Sequence, residues 1–268
     1  MAYVLVTSQP VCEPVTLAQV KDYCAIPQSI TDFDNMLPGL AIAARELCEE
    51  YTTRKFINTG LVQTHDFFPY WVDSMFSTIA YPPSAYLALP RYSTTTWNYS
   101  QLIKLIYSKL YVVDEIKYVA SDGSGWKSLI GSDDPANTTA DFIVDPITEP
   151  GRIFPRPGTY WPSCLYVQNS VEIYHTVGYN NDAAIQEALA AMTPPIEPAT
   201  STADCTPQEA GLRQADVPQR IKTAILALTA HLFDNREPVS DLTKVELPWH
   251  VQALLNSELV IDFGPTRG

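Results

Sequence analysis

Apolar residues recur at helical spacing near both ends of the chain and at strand spacing in its middle. Thr16-Leu17-Ala18-Gln19 has the form of a capping box, with a hydroxyl to accept the N3 amide and a Gln side chain to reach back. Leu17, Val20 and Tyr23-Cys24 give that helix a short apolar face. Pro27 ends it, because the residue before a proline avoids the α region. A second helix is predicted after Asp32 or Asp34, regular from about Asn35. Met36, Leu40, Ala43, Ala44, Leu47 and Tyr51 form its face, with Arg45, Glu46, Glu49 and Glu50 on the wetter side. Pro38 is tolerated only in a first turn or at a kink.

From Gly60 the period changes to two, and Leu61 to Phe67 reads as a strand. Further strands are predicted near Leu87–Leu89, Leu102–Tyr107, Tyr111–Val119, Phe142–Asp145, Gly151–Phe154 and Leu165–His175. Turn signals separate them at Pro82-Pro83, Ser121 to Gly125, Glu149-Pro150-Gly151 and Arg156-Pro157-Gly158. Helical character returns in the Ala-rich Asp182–Met192, followed by a Pro- and Thr-rich loop over Thr193–Thr202. Val217-Pro218 opens the clearest helix, with Pro218 at N1 and a stripe of Ile221, Ala224, Ile225, Leu228 and Leu232. Asn235 to Pro238 stops it, and a last short helix is predicted from about Pro248 to Asn256.

These patterns describe an α+β protein: a helical bundle formed by the N- and C-terminal segments, with an inserted antiparallel β-rich domain. Neither helical end buries its stripe alone. The expected boundaries are 1–59 for the first helical part and 60–179 for a sandwich- or barrel-like insert. An extended linker or insertion is expected at 180–216, the second helical part at 217–256 and a C-terminal arm at 257–268.

Charge narrows the function. Among 268 residues, 17 Lys and Arg face 30 Asp and Glu, a formal net charge of -13. General binding to a phosphate backbone needs clustered Lys and Arg and is disfavoured; lying near DNA without adhering to it is not. With 46% hydrophobic residues the chain has enough for a core, so it is not wholly disordered. Its most apolar run, Ile221 to Phe233, includes Lys222 and His231 and is too short to span a bilayer. The opening Met1-Ala-Tyr-Val-Leu-Val has no basic n-region, so secretion is not indicated. Cys12, Cys24, Cys48, Cys164 and Cys205 are odd in number and lack a C-x-x-C. They are expected as reduced thiols of a cytosolic product.

The search for chemistry finds no catalytic constellation. His65, His175, His231 and His250 are isolated and read as surface or packing residues, so no metal site is expected. Asp133-Asp134 and Glu49-Glu50 read as solvated surface. No phosphate loop, dinucleotide fingerprint or nucleophile elbow occurs, and no cofactor is implied. Ser163-Cys164 has no base beside it in the sequence. Phe67-Phe68-Pro69-Tyr70-Trp71 reads as sheet core or subunit contact, with a sugar-stacking platform as the other reading.

The ordered series of segments resembles the head–tail connector (adaptor, or head-completion) proteins of tailed bacteriophages. Glu13 to Lys21 is similar to the opening of that family, and Ala43-Ala44-Arg45-Glu46 with Glu50-Tyr51-Thr52-Thr53-Arg54 continues the likeness. Leu89-Pro90-Arg91, Ile116 to Val119 before Asp122-Gly123, Val144-Asp145, and Glu149 to Ile153 follow in order. Pro157-Gly158, Trp161-Pro162, Val171-Glu172-Ile173, Val177-Gly178-Tyr179, Val217-Pro218, Ile221, Ala224-Ile225 and Asn235-Arg236-Glu237 complete it. The stretch from Tyr92 to about Tyr107 and Asn180–Asp216 depart from the pattern as extra sequence.

The resemblance implies a non-enzymatic virion protein, made in the host cytoplasm and seated in the phage neck. Such adaptors form a ring, typically a dodecamer, beneath the portal after DNA packaging. They extend the DNA channel and meet a stopper, tail-completion or tail-terminator protein, and the genome passes without sequence-specific binding. An acidic lumen suits that passage, since it repels phosphates. Other readings are a different neck or tail part, such as a stopper or tail-completion protein, or a virion-associated carbohydrate-active enzyme.

Two residue sets carry the expected contacts. Leu259, Val260, Ile261, Asp262 and Phe263 form an apolar, β-branched stretch that favours an extended conformation, with Leu259, Ile261 and Phe263 on one face. Such a strand either docks on a partner's sheet edge or groove or folds back on its own subunit; the resemblance implies the portal as its partner. Arg236 and Glu237 are placed either to pair across subunits or to cap their helix locally.

Overall fold

The computed structural model describes residues 3–69, 101–134, 137, 139–201, 204–235 and 247–260. In chain order the elements are β1 (Tyr3–Ser8), α1 (Leu17–Tyr23), α2 (Leu37–Thr52), β2 (Thr59–His65), β3 (Ile103–Lys104), β4 (Leu110–Val119), β5 (Trp126–Leu129), β6 (Gly131–Ser132), β7 (Phe142–Asp145), β8 (Arg152–Pro155) and β9 (Val171–Val177). Then come α3 (Asp182–Ala190), α4 (Pro207–Asp216), α5 (Gln219–Asp234) and α6 (Trp249–Leu255), with a 3-10 turn over Asn256–Glu258. The protein is therefore mixed α/β, with six α-helices and two sheets among the described residues. The strand predicted near Leu87–Leu89 lies outside them.

The strands form a five-stranded sheet of order β1-β2-β9-β4-β5 and a four-stranded sheet of order β3-β8-β7-β6. The chain divides into two compact units. One comprises Met1–Leu5, Val62–Leu105 and Val113–His175; the other comprises Val6–Leu61, Ile106–Val112 and Thr176–Gly268.

In the first unit, β7 pairs antiparallel with β8, placing Val144 opposite Ile153 and Asp145 opposite Arg152. β6 joins β7 in parallel, a departure from the expected antiparallel arrangement. β4 and β5 form a hairpin whose turn places Gly123 and Gly125 at φ 76° and 85°, a region that suits glycine. The Asp122 carboxylate accepts from the Ser124 amide and hydroxyl and holds that turn. Phe68 stacks on Trp161 with ring centroids 4.9 Å apart, and the Trp161 indole donates to the Gln101 carbonyl at 2.7 Å. Gly131 lies against Phe142; a Cβ there would sit 2.2 Å from the ring, so only glycine fits.

The second unit has one apolar core. Leu37, Ala41, Ala44 and Cys48 of α2 meet Ile221, Ala224, Ile225 and Leu228 of α5, with Val20 from α1 and Val251 and Leu255 from α6. Thr16 and Gln19 close the expected capping box. Pro218 stands at the N-cap of α5, one position before the expected N1.

Helix α2 differs from its sequence reading. It starts at Leu37 behind Met36, without an Asp cap, and Pro38 sits in the first turn. Its buried face is turned by one position: Leu47 is 38% exposed, whereas Arg45 and Glu49 are 3% and 0% exposed. The reason is electrostatic, since the two side chains neutralise each other inside the protein at 3.0 Å.

Two further corrections concern residues 180–216 and the thiols. The expected extended linker carries α3 and α4, and α4 was not foreseen. Cys12 and Cys205 are joined in a disulfide with Cα atoms 5.8 Å apart, so five reduced thiols is not the observed state. Folding brings together two cysteines 193 residues apart, and no sequence spacing announces that. Cys24, Cys48 and Cys164 are not disulfide-bonded.

Candidate docking arm and its root

The residues leading into the expected arm are fixed on the second unit. Val251 and Leu255 bury α6 in the core, and the chain then makes its 3-10 turn and becomes extended at Leu259, with φ -63° and ψ 128°. Tyr51 donates its hydroxyl to Asn256 Oδ1 at 2.8 Å. Arg54 Nε donates to the Glu258 carbonyl at 2.5 Å, and Arg220 Nη1 donates to the Ser257 hydroxyl at 2.6 Å. The Glu258 carboxylate accepts from the Tyr179 hydroxyl at 3.1 Å and faces Arg220 at 3.5 Å.

The end of α2 explains why the arm root lies there. The last carbonyls of a helix lack intrahelical partners. Thr53 turns left-handed at the C-cap, with φ 54° and ψ 37°. The Thr52 carbonyl then accepts from the Val260 amide at 3.3 Å, and the Thr53 carbonyl from the Ser108 amide at 3.1 Å. The arm root thus caps a helix while being held by it.

Of the expected docking residues, Leu259 is 36% exposed and Val260 is half-buried at this cap. Ile261, Asp262 and Phe263 lie outside the described residues, as do Arg236 and Glu237. Sequence reading missed Tyr51, Arg54, Tyr179 and Arg220 as root residues. Their available signal was the polar and aromatic run Glu50-Tyr51-Thr52-Thr53-Arg54 directly after a helix.

A buried ionic network lies along the same α2. Arg45 Nε meets Glu13 at 2.9 Å, and Glu49 also accepts from Lys55 at 2.8 Å and from the Phe56 amide at 3.1 Å. Burial raises the Glu13 pKa, and Arg45 only partly offsets this. Burial works against the Arg45 charge, but Glu49 and Glu13 outweigh it and hold that pKa above the usual value. Burial, aided by the Glu49 carboxylate, pushes the Cys48 thiol up to about 12, so it stays protonated. The ionic groups are paired with each other and hold the fold.

In the first unit the expected aromatic run separates into two roles. Phe68 is core, whereas Phe67 is half exposed and packs on Tyr166 at 5.9 Å. Tyr70 and Trp71 lie outside the described residues. An open cleft of about 300 Å³ is lined by His65, Asp66, Phe67, Leu102 and Lys104 among others. Gln63 Nε2 bridges the His65 ring and the Lys104 carbonyl there. Burial lowers the His65 pKa, leaving that imidazole neutral near pH 7. Among the described residues no group of three or more His, Cys, Asp or Glu could hold a metal, and no helix is long and apolar enough to cross a membrane.

No protein-family model and no curated protein matches the chain. Solved structures do. A chain from the neck of an empty gene transfer agent particle, computed with C6 symmetry, superposes with a TM-score of 0.57 at 14% identity, covering 99% of this chain and 100% of that one. A chain from the virion of a native gene transfer agent particle gives 0.55 at 12%, covering 99% of each. One from the neck of a native particle, computed with C12 symmetry, gives 0.51 at 14%, covering 98% and 100%. At these identities the likeness is one of fold, and it runs over the whole of both chains.

Proposed function

We propose that this protein is a non-enzymatic structural subunit of a virion neck: a head–tail adaptor that forms a ring beneath the portal after packaging. The ring would extend the DNA channel and connect the capsid to the tail. The observation that carries this reading is the end-to-end likeness to chains of gene transfer agent necks, which were computed with C6 and C12 symmetry. The net charge of -13 supports it, because an acidic lining lets DNA pass without adhesion. The anchored root of the arm supports a portal contact, since a fixed origin lowers the entropy lost when an extended segment docks.

The test is assembly on portal rings. The chain, mixed with purified portal from the same particle, should add as a ring of portal-matched copy number, read by mass photometry and by electron microscopy of the complex. A portal that gains no mass at micromolar chain concentration would overturn the adaptor role. Binding only to a preformed portal–adaptor complex would point instead to a stopper or tail-completion part.

A further inference from the structure

We propose that Cys12 and Cys205 form a late-closing staple, two thiols while the particle is built in a reducing compartment and one disulfide after its release. The timing rests on the neck reading above; the bond itself does not. Both cysteines belong to the second unit. Cys12 is 1% exposed and directly precedes Glu13, which is tied to Arg45. Cys205 is half-buried and directly precedes Thr206, the N-cap of α4.

The two sulfurs are brought together by bonds that do not depend on their own. Gln214 Nε2 on α4 donates to the Glu13 carbonyl at 3.0 Å. Arg213 Nη1 meets Asp182 at 2.6 Å and its Nη2 meets Glu209 at 2.9 Å. Glu209 in turn accepts from the Ala199 amide at 2.9 Å, which fixes the loop before α4. A reduced chain therefore holds the pair in register, and the Cα separation of 5.8 Å is in the range a disulfide spans.

Closure needs an oxidant, and a small-molecule disulfide such as oxidised glutathione suffices. Cys205 is the less buried residue of the pair and is taken as the first to react. Its thiolate attacks the small disulfide, forming a mixed disulfide and releasing one glutathione thiolate. Cys12, deprotonated, then attacks the Cys205 sulfur and expels the second glutathione. Two protein thiols and one glutathione disulfide become one protein disulfide and two glutathione thiols. Cys48 and Cys164 are buried; Cys24 is half-buried like Cys205 but is not disulfide-paired, so a mixed disulfide formed there is returned to the thiol by reduced glutathione kept in the mixture. Disulfides persist outside cells and are rare in a reducing cytosol, which sets the order of events. The closed bond joins residues 193 positions apart, where restriction of the unfolded chain is large.

The experiment counts thiols on the full chain with maleimide under denaturing conditions. Protein trapped with the reagent directly in the producing cells should take five labels, one for each cysteine in the sequence. After incubation of the folded chain with oxidised and reduced glutathione it should take three, on Cys24, Cys48 and Cys164. Peptide mapping should then recover Cys12 linked to Cys205. Oxidation should raise the Tm by roughly 10 °C, reversibly with dithiothreitol, and Cys205→Ser should abolish the rise. Five labels after oxidation, or a different linked pair, would overturn the staple. Three labels in the trapped cells would overturn its late closure. Because no count involves the portal, failure to bind portal with these counts intact would strike the neck reading and not the bond.

Discussion

Arg54 and Glu258 lie 204 residues apart, yet Arg54 Nε donates to the Glu258 carbonyl at 2.5 Å. Arg54 is 8% exposed just after α2, and the carbonyl belongs to the 3-10 turn over Asn256–Glu258. Arg54→Met keeps the aliphatic stem and removes the donors. It should cost about 1–3 kcal/mol, the usual range when a charge-assisted hydrogen bond is lost. Amide exchange at 256–260 should accelerate more than exchange in α5. Unchanged exchange at those amides would show that Arg54 is not the clamp.

Separating arm from root requires a cut beyond Val260, because the Val260 amide caps Thr52. A docking role separate from the fold predicts that a chain ending at Val260 melts within about 1 °C of the full chain. That chain should add no mass to portal rings. A chain ending at Glu258 loses the cap as well and should melt lower. Portal binding by the Val260-terminated chain at full-length affinity would remove the arm from the interface.

Legibility in the sequence followed the chemistry of the buried faces. Helix α1 was readable because Thr16 and Gln19 cap it with side chains whose types are visible. The core stripe of α5 was readable because Ile221, Ala224, Ile225 and Leu228 are apolar at helical spacing. Helix α4 hid because the residues it buries are Glu209, Arg213 and Gln214, which hydropathy places outside. Its start was nonetheless written as Thr206-Pro207 with Glu209 at N3, a cap without an apolar stripe behind it. The same inversion at Arg45 and Glu49 displaced the face assigned to α2. β1 was not foreseen either, since five of its six residues are exposed and no alternation marks it. The root at Asn256–Val260 depends on Arg54, Tyr179 and Arg220, which only the fold gathers.

Glu49 supplies the test of that buried network. Its carboxylate accepts from Arg45, Lys55 and the Phe56 amide while fully buried. Glu49→Gln leaves the Arg45 guanidinium with half-buried Glu13 and exposed Glu46 as its remaining partners. Removing one member of a buried ion pair costs about 3–5 kcal/mol, and the surviving Glu13 contact puts the expectation at the lower end. The exposed neighbour Glu50→Gln should change stability by no more than about 0.5 kcal/mol. Urea unfolding of the two variants compares them directly. Equal midpoints would mean that the Glu49 network contributes nothing beyond an ordinary surface charge.

His175 gives the protein an acid-sensitive position in β9. The ring is 1% exposed, Nδ1 lies 3.1 Å from the Ile173 carbonyl, and Nε2 is buried without a hydrogen-bond partner. Nδ1 therefore carries the proton of a neutral imidazole. Burial brings the pKa down to about 4 from 6.5, against a smaller opposing effect of the Ile173 carbonyl. As pH falls below 6.5 the unfolded chain takes up this proton before the folded one does. Stability is thus lost progressively between pH 6.5 and 4 and levels off below, for a total of about 3 kcal/mol from this one group. His175→Leu keeps a similar volume and removes the titration, so it should flatten that part of the profile while leaving the contribution of His65, which burial shifts in the same direction. Urea midpoints at pH 7.5, 5.5 and 4.5 for both proteins give the comparison. If the variant loses as much stability on acidification as the parent, the proton is taken up elsewhere.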